Sequence, residues 1–421
     1  MGSANKYFAK SSMFFTAPVE RLLVVIRKPD FAAPGDAKPL LRPKMPELDS
    51  VRGFAILMVL FFHGFASRYG TQGLSGLPRL FIWFLVPGWT GVNLFFALSG
   101  FLITGILLDS KHHPQYYRRF YLRRALRILP AYYGILLLLA LLGRYALQGG
   151  NISWAFLGLS AIYLANVTVL FGVPMLLPVL WSLAVEEHFY LLWPVIIRNV
   201  SRHTAGAVAA LIAVAVTLAR VVTFWLGHDC FAHYTWLVAD ALALGSLLAV
   251  LMRGPMGSRM GLKLISLAAF LGSGALILID RPFHHPLAGG ALHITALNLL
   301  CTGVVGGTLL LGTSSWSFLV QLRTLRFFGE ISYGLYLIHM LVFNIYDNLQ
   351  QQFFPLLPSL KGHLELMVIR FLICGGVAIV LSVLSRWYFE EPFLRLKDRA
   401  PSTGTENTLR DAASAEEQPA R

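Results

Sequence analysis

Residues 88–127 read GWTGVNLFFALSGFLITGILLDSKHHPQYYRRFYLRRALR, and the two halves of this stretch decide the class of the fold. The first half, 88–108, carries no charged side chain. It has the length, about 20 apolar residues, that a helix needs to cross a bilayer core. The second half crowds Lys111, Arg118, Arg119, Arg123, Arg124 and Arg127 behind it. Short basic loops stay on the cytoplasmic side of a membrane. The stretch therefore reads as one span that enters from outside and ends at a cytoplasmic basic loop.

The rest of the chain repeats that pattern. Of its 421 residues 56% are hydrophobic and 13% charged, against about 25% charged in soluble domains, and the mean hydropathy is +0.63. Too few polar residues are present to cover a soluble globule, which excludes a soluble enzyme, a disordered chain and a disulfide scaffold. The formal charge of +14 is read as basic cytoplasmic loops and not as a nucleic-acid surface. Cys230, Cys301 and Cys374 lie far apart and are read as small hydrophobes; no metal site is expected.

Eleven apolar segments can be marked, near 53–68, 88–108, 128–147, 154–170, 180–197, 205–226, 235–252, 262–279, 289–312, 329–347 and 364–388. Eleven crossings would put most later basic clusters outside; ten put them inside. The segment 154–170 is interrupted by Gly158, Ser160, Asn166 and Thr168, so it is taken as a re-entrant or interfacial element on the outer side. The expected fold is an all-α polytopic transmembrane helix bundle of about ten spans plus that element, with both termini cytoplasmic. Residues 1–47 form a cytoplasmic extension, 48–397 the membrane domain and 398–421 a disordered cytoplasmic tail, with no soluble domain expected at either end. No strong internal repeat is visible, which weighs against a transporter built from inverted halves.

Ionisable side chains inside apolar spans cost about 2.5–3.5 kcal/mol on insertion scales and mark functional sites by default. Arg52 and His63 are eleven positions apart in the first span; that is about 16 Å of rise and about 20° beyond three turns, so they share a face. Arg52 reads either as a snorkelling cation or as a ligand, and His63 either as a satisfied interior imidazole or as a base. In the second span the Gly91–Gly100 run with Ser99 suits close helix packing. Arg119, Arg123 and Arg127 form an i, i+4 stripe beside Arg124. Guanidinium forks at that spacing suit a polyphosphate, the alternative being plain orienting charge. Trp181, Glu186, Glu187, His188 and Tyr190 sit early in another apolar span. Two buried carboxylates there need partners or a wet cavity. Asp240 and Arg220 are both intramembrane and can pair; His339 is a weaker candidate.

Five motifs in this order resemble the acyltransferase 3 family of integral membrane O-acyltransferases: Leu48–Gly53 with His63, Gly91–Gly100, the arginine tract with Arg124 and Arg127, Trp181–Glu186, and Ser332–His339. The resemblance spans roughly 45–397. It implies transfer of an acyl group, usually acetyl, from a cytoplasmic acyl-coenzyme A co-substrate to a hydroxyl of a surface glycan or lipid-linked saccharide in the bacterial inner membrane, with no tightly bound cofactor. Under it, Arg119, Arg123, Arg124 and Arg127 hold the donor phosphates and Arg52 guards the inner mouth or binds donor. His63 acts as general base or acyl relay, oriented or charge-balanced by Glu186. Trp181, Glu187, His188, Tyr190 and Ser99 are weaker substrate contacts. One position departs from the pattern: Val238 stands where an arginine two residues before Asp240 is expected, which leaves that carboxylate short of its usual neighbour. The competing class is a transporter or flippase of a lipid-linked glycan.

Overall fold

The computed structural model describes residues 40–42, 44–146, 153–229, 233–280, 291–353 and 361–399. Cys230 and nearly all of the expected terminal extension and tail lie outside these residues. The described chain is helical, and no strand occurs among the described residues. We number the principal helices α1 Pro46–Phe61, α2 Gly76–Leu85, α3 Gly91–Asp109, α4 Tyr116–Ala146, α5 Trp154–Ala161, α6 Leu180–Asn199, α7 Arg202–Trp225, α8 Asp240–Met252, α9 Arg259–Asp280, α10 Ala291–Gly312, α11 Arg323–Phe353 and α12 Leu364–Leu384.

Eight helical stretches among the described residues are long and apolar enough to cross a bilayer, so this is a multi-pass membrane protein. Two helices of the expected set fall short of that measure for different reasons. Helix α6 has 20 residues, but Glu186, Glu187 and His188 interrupt its apolar run; α8 is apolar but has 13 residues. The doubtful segment 154–170 forms the eight-residue α5, followed by a 3-10 turn at Ala165–Phe171. Eight residues rise about 12 Å, far short of the ~30 Å hydrocarbon core.

Two helix crossings set the frame. A Cβ on Gly53 would lie 1.8 Å from the Leu325 carbonyl oxygen and one on Gly329 2.0 Å from that of Asp49, so α1 and α11 touch backbone to backbone. Helices α3 and α8 do the same: a Cβ on Gly100 would meet the Leu242 oxygen at 2.0 Å, and one on Gly245 the Ala97 oxygen at 2.0 Å. Small residues at these points let the helices close up where lipid supplies no hydrophobic drive for association.

C-terminal to its crossing with α11, α1 changes pitch. It runs as an α-helix to Phe61 and then makes a π-turn over Phe62–Ala66, a form that recurs at functional sites. The turn is held from outside. Arg370 of α12 donates to the Gly64 carbonyl (2.8 Å) and, through two nitrogens, to both carboxylate oxygens of Asp347 on α11 (2.6 and 2.8 Å). Arg68 also donates to Asp347 (2.7 Å), and the Arg370 guanidinium lies 4.6 Å over the Phe343 ring. Both charges of the Arg370–Asp347 pair are buried.

Candidate active site: two cavities sharing a wall

Helices α1, α3, α4, α6 and α11 line a partly open cavity of about 740 Å³ whose polar lining includes Arg52, Arg124, Arg127, Glu186, Glu187 and Tyr190, with Ser99 and Ser182 among them. Helix α4 places Arg124 and Arg127 three residues apart, on one face. The Arg124 guanidinium lies 5.2 Å from the Tyr190 ring centroid, a cation–π geometry. Arg52 donates to Asp49 one turn earlier (2.9 Å). Glu186 spends its oxygens on neighbours: Ser99 donates to one (2.7 Å) and Tyr190 to the other (3.1 Å). Three guanidinium groups, held near two carboxylates, make a cationic pocket suited to an anion with several phosphate oxygens.

A second cavity, about 1080 Å³, holds His63. Its walls are largely aromatic and apolar, with Trp89, Asn93, Trp181 and His233 as further functional lining. The His233 ring stacks on Trp181 at 4.2 Å and 12°. Val92, Phe96 and Tyr336 line both cavities and are the wall between them. Tyr336 is fixed by a 2.6 Å hydrogen bond between its hydroxyl and Ser182 Oγ, and Phe96 packs edge-on against Trp181. His63 has two partners, the Val59 carbonyl oxygen 3.1 Å from its Nδ1 and His339 Nε2 3.2 Å from the same atom.

The sequence profile of the acyltransferase 3 family, described as an acyltransferase domain, matches residues 45–387. This chain belongs to that family. YrhL of Bacillus subtilis (strain 168) is 30% identical over 384 residues, covering 83% of this chain and 54% of YrhL. The peptidoglycan O-acetyltransferase OatA of Listeria monocytogenes is 26% identical over 333 residues, 71% of this chain and 49% of its own length. The O-acetyltransferase OatA of Staphylococcus aureus (strain NCTC 8325) is 25% identical over 322 residues, 70% of this chain and 50% of OatA. The chain thus spans about half the length of these curated relatives. No solved structure matches it.

In this acyltransferase-family chain, Arg52, Arg124, Arg127, Glu186, Glu187, Tyr190 and Ser99 gather in one cavity, and His63 and Trp181 in the other. Arg119 and Arg123 share the helix of Arg124 but line neither cavity. His188 is outside both, with its Nδ1 2.7 Å from the Thr235 hydroxyl, which also accepts from Asn166 (3.0 Å). One expectation is corrected: Glu186 does not orient His63. Its oxygens are taken by Ser99 and Tyr190 on the arginine side of the wall, and the partner of His63 is His339.

The pairing of Arg220 and Asp240 holds: two guanidinium nitrogens reach the two carboxylate oxygens at 2.9 and 2.5 Å, both side chains fully buried. Arg220 thereby supplies from α7 the guanidinium that Val238 does not.

The sequence marks His339 only as a weaker candidate, carries Tyr336 and Asn93 within motifs without singling them out, and does not point to His233. His339 and Tyr336 lie in the Ser332–His339 motif, three residues apart and so on one helix face. That spacing was the available signal. His233 gives none, because only the folding of the loop before α8 brings it to Trp181.

Proposed function

We propose that this chain is a membrane O-acyltransferase that moves an acyl group, acetyl by preference, from acyl-coenzyme A to a hydroxyl of a cell-surface carbohydrate. The observation that carries the reading is the pair of abutting cavities, guanidinium groups on one side and an imidazole on the other, with one wall in common. The names of the OatA relatives, peptidoglycan O-acetyltransferase and O-acetyltransferase, support acetyl transfer and a glycan acceptor.

The chemistry follows from the residues. The donor phosphates sit against Arg124 and Arg127, with Arg52 close to the same anion. The acceptor sugar enters the other cavity, whose lining includes Trp89 and the stacked Trp181–His233 pair. The unprotonated nitrogen of His63 takes the proton of the attacking hydroxyl. The C–O bond forms as the thioester C–S bond breaks, and the proton passes to the departing thiolate, leaving an ester and free thiol. In this reading the arginine cavity opens to the cytoplasm of a bacterial inner membrane and the imidazole cavity to the outside, with both termini cytoplasmic.

Membranes carrying the protein, supplied with radiolabelled acetyl-coenzyme A, test this directly. Label should reach extracted cell-wall glycan with the wild-type chain, and His63→Ala should lose that transfer while remaining inserted. Undiminished transfer by His63→Ala overturns the reading.

A further inference from the structure

We propose that Val92, Phe96 and Tyr336 select the length of the acyl group. This rests on the acyl-transfer reading above and deepens it, because that reading leaves the choice of acyl group unexplained. The charged groups able to hold the donor and the imidazole able to activate the acceptor lie in different cavities. A donor anchored on Arg124 and Arg127 therefore reaches His63 only by passing its acyl end through the shared wall. Those three side chains are what the acyl group must fit between.

The wall is packed from two helices. Val92 and Phe96 are four residues apart on α3, hence stacked on one face, and Tyr336 comes from α11. Phe96 and Tyr336 are both buried. Tyr336 is anchored at its tip to Ser182, and its ring centroid lies 5.9 Å from that of His339, the partner of His63. Phe96 is backed by Trp181. A wall pinned on both sides yields little to an added methylene, so the aperture that an acyl group must open in it stays narrow. A two-carbon group asks least of such an aperture. Each further methylene must displace an aromatic ring or be refused, a discrimination of about tenfold or more per methylene. The bond changes are those of the transfer: the thioester C–S bond breaks, the ester C–O bond forms, and the hydroxyl proton travels through His63 to the departing thiolate.

The test compares acetyl-, propionyl- and butyryl-coenzyme A as labelled donors with wild-type, Phe96→Leu and Val92→Ala membranes, scoring label on extracted cell-wall glycan. The wild-type chain should favour acetyl. Each variant should raise the butyryl-to-acetyl ratio about tenfold or more, and Phe96→Trp should lower transfer most for the longest donor. An unchanged ratio in both enlarging variants overturns the proposal. So does loss of all transfer by both, because a wall that only supports the fold gives that result. Absence of acetyl transfer by the wild-type chain instead overturns the function proposed above, and this inference with it.

Discussion

His339 Nε2 lies 3.2 Å from His63 Nδ1, and the tautomers of both rings follow from what surrounds them. A carbonyl oxygen only accepts, so His339 Nδ1, 2.9 Å from the Leu335 oxygen, carries that ring's proton. Its Nε2 is then a bare acceptor facing His63. His63 Nδ1, between that nitrogen and the Val59 oxygen, must carry its own proton. The remaining nitrogen of His63, Nε2, is left with a free lone pair. A third group that fixes a base in its working tautomer is a recurring device in nucleophilic sites.

Removing the side-chain acceptor, which leaves only the Val59 carbonyl to hold the His63 ring, should slow the chemical step. His339→Leu is expected to lower kcat about ten- to a hundredfold with little change in KM for the donor, in line with losses at groups that orient a histidine. His339→Gln, which retains an acceptor, should recover part of it. Steady-state acetyl transfer in proteoliposomes reads both; equal losses in the two variants would assign His339 to packing alone.

The arginine tract should divide in two. Arg124→Ala and Arg127→Ala are expected to raise KM for acetyl-coenzyme A about tenfold or more, since each removes a charge-assisted contact worth roughly 1.5–3 kcal/mol. Arg119→Ala and Arg123→Ala, on the same helix but outside the cavity, should change it less than twofold. Donor titrations on four single variants decide this, and uniform effects would mean that the tract acts as diffuse charge.

The Arg220–Asp240 pair should matter for stability more than for catalysis. Arg220→Leu leaves a fully buried carboxylate without its counter-ion and is expected to cost about 3–5 kcal/mol. Arg220→Leu combined with Asp240→Leu should be less destabilised than Arg220→Leu alone. Thermal unfolding in detergent, followed by loss of monodisperse protein, measures both; an additive double variant would show that the pair is not coupled.

The helix crossings make a steric prediction. Gly100→Leu places a side chain where the Leu242 oxygen already lies 2.0 Å from the Cβ position, so α3 and α8 must separate. The variant should fail to yield folded protein. Gly307→Ala on α10, where a Cβ meets nothing within 4 Å, should be tolerated.

The bundle was legible because hydropathy and loop charge are one-dimensional signals. The break in the segment 154–170 announced its short helix without reference to neighbours, whereas most of the basic tract is the first part of α4 and not a loop. Part of the lining of the two candidate cavities was legible for the same reason: Arg52, Arg124, Glu186 and His63 are conspicuous as charged or titratable groups in apolar surroundings. What could not be read was who touches whom. Glu186 and His63 look like partners because a base often needs a carboxylate, yet that carboxylate is claimed by Tyr190 one turn along the same helix and by Ser99 from a helix adjacent only in space. The imidazole's true partner lay 276 residues further along. Phe96 drew no attention, since an aromatic residue in an apolar span is indistinguishable in sequence from ordinary packing.

The counter-charge of Asp240 comes from Arg220, twenty positions back on another helix, and not from position 238, where Val238 lines the imidazole cavity. What the carboxylate requires is a positive group within its own small volume, whichever strand of the bundle delivers it. Homologues should thus trade the two locations: loss of the cation at one site should coincide with its gain at the other, a correlated exchange that column-by-column inspection would score as two unrelated losses.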